Sequence, residues 1–272
     1  MKMSHLQSGP LEVKGGWLWT AFVIGMALLN PGAMASTPMV DLGTATGFAV
    51  LAGAGITNTG PTTITGDVGS SPTPSITGFG SVTLNGTNHG GDADTQLAKI
   101  DLSSAYDSAA GRTADVFYGG GFDLGGLTLA PGVYNGSSSL FLTGDLILDA
   151  QGDPNAVWVF QAASTLITAA NSTVTVIGGA DASRVFWQVG SSATLGTDTD
   201  FSGTILAMTD ITLATGATLD GQALAQNGAV TLDTNIISGS LLPVPEPGSA
   251  ALVMLGVLGC LFYPRQRHIA RK

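Results

Sequence analysis

Cysteine is nearly missing from this chain of 272 residues: the only one, Cys260, lies in an apolar stretch close to the C-terminus. No disulfide framework and no cysteine metal site can be built from it. Charge is equally scarce, at 10% of residues. Between Ser36 and Pro243 there is no glutamate, and three basic residues (Lys99, Arg112, Arg184) stand against 17 aspartates, a net charge of −14. A surface so short of cations disfavours nucleic acid and anionic lipid as partners. The same stretch holds one histidine, His89, which reads as a structural residue. Solenoid hydrolases and lyases need paired carboxylates, or a basic residue with calcium-binding acids. With no glutamate and so few bases the chain is not expected to be an enzyme, and no cofactor or metal is implied. Asp198-Thr199-Asp200 reads as a solvated turn rather than a calcium site.

What is present points to β-structure. Hydrophobic residues make up 44% of the chain, which with so little charge argues against disorder. Glycine numbers 39, alongside many Thr, Ser and Val. Thr-Leu-x-Thr occurs four times, at Thr165–Thr168, Thr194–Thr197, Thr212–Thr215 and Thr231–Thr234, with fainter members at Thr128–Pro131 and Ile147–Ala150. The central leucines fall at 129, 148, 166, 195, 213 and 232, so the spacing is 18 or 19 except for one gap of 29. A second column, Phe160-Gln161, Trp187-Gln188, Leu206-Ala207 and Leu224-Ala225, carries the same gap, which places one insertion near Gly178–Arg184. A period this short suits one coil of a β-solenoid with Gly, Asn, Asp and Ser corners. Stacked leucines would then share a core, and the threonine beside each, of opposite parity, would face out. Thr165, Thr194, Thr212 and Thr231 are expected to form one outer ladder. Trp158 and Trp187 sit in apolar strands and read as core rather than as sugar platforms.

The remaining segments fall around this repeat. Residues 1–35 read as a secretory signal: Lys2 and Lys14, an apolar run from Trp17 to Leu29, and an Ala33-Met34-Ala35 cleavage site. Residues 41–91 are short β pieces, expected to be further, less regular coils. Residues 92–111 differ. Ala98, Leu102, Ala105, Tyr106 and Ala109 recur at helical spacing, Asp92 or Asp94 can cap the start, and Gly111 ends the run. A helix of that length, about 28 Å, matches about six coils at ~4.7 Å, so it is expected to lie along the whole solenoid. The fold expected is thus all-β dominated: a right-handed, irregular β-solenoid over 36–240 with one long α-helix alongside. Residues 241–272 form a separate module. Its Pro-rich linker, an uncharged apolar stretch from Ser249 to Tyr263 and a basic tail read as a short membrane helix with its basic end cytoplasmic.

Two resemblances follow from these segments. Val244-Pro245-Glu246-Pro247, the short apolar helix and the Arg cluster resemble the PEP-CTERM sorting signal very closely. That implies a Gram-negative host making extracellular polysaccharide. It also implies an exosortase-type membrane protease that cuts near Pro245, Glu246 and Pro247 and releases or anchors the protein at the surface. The stretch from Leu42 to Ser238 is similar to the widespread microbial ice-binding family. The segments that carry this are Leu42–Ala52, Thr57–Gly60, Ile64–Gly69, Leu127–Tyr134, Leu148–Asn155, Val185–Gly196 and Ala225–Thr234. The resemblance implies a discontinuous β-solenoid with one flanking helix. Active members of that family often show Thr-(Ala/Gly)-x-(Thr/Asn) on the ice-binding face. Thr168-Ala169-Ala170-Asn171 and Thr215-Gly216-Ala217-Thr218 match it, whereas Thr197-Asp198-Thr199-Asp200 and Thr234-Asn235-Ile236-Ile237 depart from it.

The expected activity is adsorption to an ice crystal surface by an exported monomer, inhibiting growth or recrystallisation. The residues expected to carry it are Thr165, Thr168, Asn171, Thr194, Thr197, Thr212, Thr215, Thr218, Thr231 and Thr234. Asp198, Asp200 and Asp233 weigh against a fully uncharged face. The competing reading is a non-catalytic adhesive protein of the biofilm matrix, held to polysaccharide, on the same fold.

Overall fold

A computed structural model describes residues 37–239. The expected signal with its cleavage site at Ala33 and Ala35, and the expected sorting module with Pro245, Glu246 and Pro247, lie outside those residues. Among the described residues no helix is long and apolar enough to cross a membrane.

Three parallel sheets wrap one core. Face A has nine strands, in the spatial order Val116–Tyr118, Gly132–Gly136, Trp158–Ala162, Val185–Val189, Thr204–Ala207, Ala223–Ala225, Phe48–Ala52, Asp67–Ser70 and Asn88–Gly90. Face B runs Phe122–Asp123, Leu140–Leu142, Leu166–Thr168, Ala193–Leu195, Ile211–Leu213, Val230–Asp233, Ile56–Thr59 and Ile76–Thr77. Face C runs Thr128–Leu129, Asp145–Asp149, Thr173–Ile177, Asp200–Ser202, Thr218–Asp220, Ile236–Ser238, Thr62–Thr65 and Val82–Asn85. One strand from each face makes a coil, and coils 1 to 8 are numbered in this spatial order. Asn88–Gly90 caps coil 8.

Chain order and stack order differ. The described chain enters at coil 7, completes coil 8 and the cap strand, returns along the outside as helix α1 (Ala93–Ala110), and then builds coils 1 to 6. Coil 6 therefore meets coil 7 across more than 160 residues of sequence, with Leu224 beside Leu51, Val230 beside Ile56 and Ile237 beside Ile64. Gln222 secures this seam on the outer side of face A, under the turn Gly43–Gly47. Its buried amide nitrogen donates to the carbonyls of Ala45, Thr46 and Phe48, at 3.1, 3.0 and 2.6 Å. Its oxygen accepts from the Thr204 hydroxyl of coil 5 at 3.1 Å.

Helix α1 begins and ends where the spacing predicts. Asp92 caps it, accepting from the Thr95 backbone N–H at 2.9 Å, and Gly111 follows its last residue. Its buried stripe of Ala98, Leu102, Ala105, Tyr106 and Ala109 lies on outward residues of face A, among them Leu51, Val159, Phe186, Leu206 and Leu224. Beneath the helix face A is therefore buried on both sides, and Val185–Val189 has no exposed residue. Lys99 ties the helix to coil 6: its ammonium donates to the carbonyls of Ala225 and Gln226, both at 2.6 Å, and burial pushes its pKa down to about 8. The helix falls short of the whole stack. Gln161 of coil 3 donates to the carbonyls of Ala109, Ala110 and Arg112, so the helix stops there. Coil 1 lies beyond it, with Phe117 73% exposed. The length match had counted six coils, and the stack has eight.

Trp158 and Trp187 are core residues, as expected. Phe160 stacks on Trp187 at 4.0 Å between ring centroids and on Tyr134 at 5.3 Å, so the aromatics follow the coil axis. The repeat has two insertions rather than one, at the corners before Trp158 and before Val185. Neighbouring coils turn the same C-to-A corner on one glycine. Gly221 (φ 148°) is packed so closely that a Cβ would come within 2.1 Å of the Gly203 carbonyl oxygen.

Gln222→Leu keeps the size of the seam residue but leaves three carbonyls without their donor. It is expected to lower unfolding free energy by about 1–3 kcal/mol, read as a shifted denaturant midpoint with the β circular-dichroism signal retained.

Candidate functional site

Strand parity sorts each face-B strand into core and solvent rows. In coils 4 to 6 the flanking residues point in: Ala193 and Leu195, Ile211 and Leu213, Val230 and Leu232. The residue between them points out. Parallel register then aligns Asp123, Phe141, Ile167, Thr194, Thr212, Thr231, Thr57 and Thr77 in one column from coil 1 to coil 8. Five consecutive rungs are threonine. At a strand spacing of about 4.8 Å they span roughly 19 Å. Face B carries no register shift, whereas face A has irregularities at Phe48/Val50 and Val68/Gly69. The hydroxyls of Thr194, Thr212 and Thr231 make no hydrogen bond to any described residue. That of Thr77 reaches Thr57 at 3.4 Å.

The sequence expectation is therefore part right. Thr194, Thr212 and Thr231 form the ladder, but Thr165 does not join it. It sits two residues earlier on its coil, where its hydroxyl donates to Ser139 at 2.8 Å, and Ile167 takes the rung. The leucine column had mixed two faces: Leu129 and Leu148 pair with each other on face C, whereas Leu166, Leu195, Leu213 and Leu232 line face B. The second column slips as well, by one residue, since Gln188 pairs with Leu206. The rungs Thr57 and Thr77 were missed because they come from the irregular N-terminal coils. The signal available was their place one residue after an inward isoleucine, Ile56 or Ile76.

The other expected residues are scattered. Thr168 is buried, its hydroxyl 2.8 Å from that of Thr199 and accepting from the Gly196 N–H at 2.8 Å, so it locks a corner and does not face solvent. Asn171 and Thr234 adopt left-handed backbone at B-to-C corners, with φ of 59° and 56°. Thr197 and Thr215 are exposed at the same edge, Thr215 with its hydroxyl on Asp233. Thr218 belongs to face C, where it donates to Asp200 at 2.7 Å. The two Thr-(Ala/Gly)-x-(Thr/Asn) matches therefore do not superpose, since one starts inside face B and the other at its edge.

Faces B and C differ in charge. The outward column of face C reads Asp145, Thr173, Asp200, Thr218, Ile236, Thr63 and Thr83, with Asp220 alongside. Thr173 and Thr218 spend their hydroxyls on the carboxylates of Asp145 and Asp200. Burial raises the Asp220 pKa, helped by the charges of Asp181 and Asp200. Of the three aspartates counted against a flat face, Asp200 lies on face C and Asp198 at a corner. Asp233 lies at the edge of face B, half-buried and accepting from Thr215. Asp210 stands beside the ladder, where it accepts from the Ala229 N–H at 2.8 Å. Face B thus offers a regular row of hydroxyl and methyl groups with its carboxylates at the margins.

Comparison with known proteins agrees with this architecture. Residues 50–238 match the family described as Ice-binding-like. An ice-binding protein from Nostoc sp. (strain HG1) is 50% identical over 235 residues, covering 83% of this chain and 87% of its own. One from Flavobacterium frigoris (strain PS1) is 38% identical over 216 residues, covering 74% and 76%. The crystal structure of an ice binding protein from an Antarctic biological consortium superposes with a TM-score of 0.72 at 51% identity, over 74% of this chain and 91% of that one. With the family matched over most of the chain, and relatives this similar along three quarters or more of their own length, the chain belongs to the ice-binding-like protein family.

Proposed function

We propose that this chain is an exported ice-binding protein that adsorbs to ice through face B and inhibits crystal growth or recrystallisation without catalysis. The observation that carries the reading is the in-register row Thr194, Thr212, Thr231, Thr57 and Thr77. A flat crystal surface demands a flat, rigid binder, and threonine supplies a hydroxyl and a methyl on a side chain stiff at χ1. Each contact with ordered water is weak, and a fixed repeat sums many of them at once. A carboxylate organises its own hydration, which disfavours face C with its Asp145, Asp200 and Asp220. The names of the relatives favour the same activity.

Export rests on the sequence alone. Residues 1–35 would direct secretion with cleavage after Ala35. The segment containing Pro245, Glu246 and Pro247 would be cut by an exosortase-type protease, leaving the mature protein outside the cell or at its surface, in reach of extracellular polysaccharide.

Recrystallisation inhibition by residues 36–240 tests the reading. The Thr194→Tyr/Thr212→Tyr double variant is expected to lose most of the activity while keeping its fold, and Thr57→Tyr to weaken it from the distant N-terminal coil. A well-folded, concentrated wild type without inhibition would sink the proposal in favour of an adhesive matrix role. Thr168→Val is the control: it is expected to cost about 1–3 kcal/mol of stability and to leave inhibition by the folded protein unchanged. A selective loss of inhibition in that variant would move the face toward the B-to-C corner.

A further inference from the structure

We infer that His89 is a proton-operated latch that closes the coil-8 end of the stack onto helix α1. His89 lies on the cap strand Asn88–Gly90, and its ring is only 16% exposed. Both ring nitrogens face carboxylates. Nδ1 lies 2.9 Å from Asp92 Oδ2 and 3.8 Å from Asp94 Oδ2, and Nε2 lies 3.4 Å from Asp67 Oδ2. Each partner belongs to a different piece of this end. Asp67 opens the face-A strand of coil 8, and its other oxygen accepts from the Thr87 N–H at 2.7 Å. Asp92 is the N-cap of α1. Phe48 of coil 7 packs on the imidazole at 5.3 Å between ring centroids. One side chain therefore touches coil 7, coil 8, the cap strand and the helix start.

An imidazole flanked by carboxylates satisfies both only when both nitrogens carry protons. Neutral, it turns one lone pair toward a carboxylate. The groups facing it from each neighbouring element can be named. Helix α1 contributes Asp92 and Asp94, and its positive N-terminal end opposes the cation. Coil 8 contributes Asp67, and coil 7 the uncharged Phe48. The turn Gly43–Gly47 contributes Thr44 to the same cleft, and Thr44 is itself bonded to Asp101 at 2.6 Å. Lys99 turns away to Ala225 and Gln226. Three aspartates thus outweigh the helix end. Burial of the ring pulls its pKa down, but the hydrogen bonds and charges of Asp92 and Asp67 overcome this and raise it above 6.5. The Thr95 N–H, and then His89, hold the Asp92 carboxyl below its ordinary value. The raised histidine stabilises the fold fully below pH 6.5, and that contribution is lost as pH rises through the raised value. Asp92 contributes above its ordinary range and is lost as pH falls through its lowered value. The latch is shut between the two.

Hydrogen exchange of the full chain from about pH 5.5 to about pH 8.5, the histidine range, corrected for intrinsic rates, tests the latch. Protection of amides 87–96 is expected to fall several-fold as pH rises, while amides 193–207 of the central coils 4 and 5 hold steady. His89→Gln should remove the step and leave 87–96 weakly protected throughout. Asp67→Asn, which leaves Asp92 and Asp94 beside the ring, should move the step to lower pH. The imidazole resonance assigned to His89 in the wild type should titrate above 6.5. A wild type without the step, a step that persists in His89→Gln, or an imidazole titrating below 6.5 would overturn the inference.

Discussion

Parallel pairing at constant register is the constraint from which the rest of this molecule follows. Every strand takes its neighbours from the coil above and the coil below, so a side chain's direction is inherited along the stack. Inward rows become a single core of leucine, isoleucine, valine and stacked aromatics. Outward rows become columns whose chemistry is set coil by coil. Face A spends most of its outward row on the helix, and face C carries two aspartate–threonine pairs in its own. Face B leaves the hydroxyls of Thr194, Thr212 and Thr231 free of described protein partners, in one register-aligned column with its carboxylates at the margins.

Much of this was legible in the residues. The period of 18 to 19 identified a solenoid, and the helix was bounded by Asp92 or Asp94 at its start, Gly111 at its end and an alanine-rich stripe between; the structure selects Asp92 as the cap. The inward place of Trp158 and Trp187 followed from their apolar strands. What failed was the step from repeat to register. Thr-Leu pairs recur on two faces because both faces need an inward leucine beside an outward β-former, so Leu129 and Leu148 of face C passed for members of the face-B column. Thr165 was misread because the coil before Val185 and the coil before Trp158 both carry extra residues, and spacing alone does not say on which side of a strand an insertion falls. Thr57 and Thr77 escaped because their coils share no motif with the later ones. Their alignment with Thr231 is a fact of packing across the seam, not of sequence periodicity.

The handling of charge follows the same logic. Seventeen aspartates in a domain with three cations would repel one another if clustered. Many are placed where a carboxylate can accept backbone or hydroxyl hydrogens at a turn: Asp123 from Gly125 and Thr143, Asp149 from Gln151, Asp210 from Ala229. They work as corner pins, which explains how so acidic a chain keeps one broad face nearly free of charge.

The seam between coils 6 and 7 changes what it means for this protein to have ends. Gly239, the last described residue, donates its N–H to the Thr65 carbonyl of coil 7 at 2.8 Å, inside the stack rather than at its end. Both physical ends, coil 1 and the cap strand, are formed by interior sequence. In an ordinary solenoid the terminal repeats fray first, because each is held on one side only. Here the last coil of the sequence is held on both sides, and coil 1 and the cap strand are joined covalently through α1. Topologically the domain is a closed loop rather than an open zipper. Unravelling from either terminus of the described domain must therefore begin by parting strands distant in sequence, while the two physical ends, coil 1 and the cap strand, are each held on one side only.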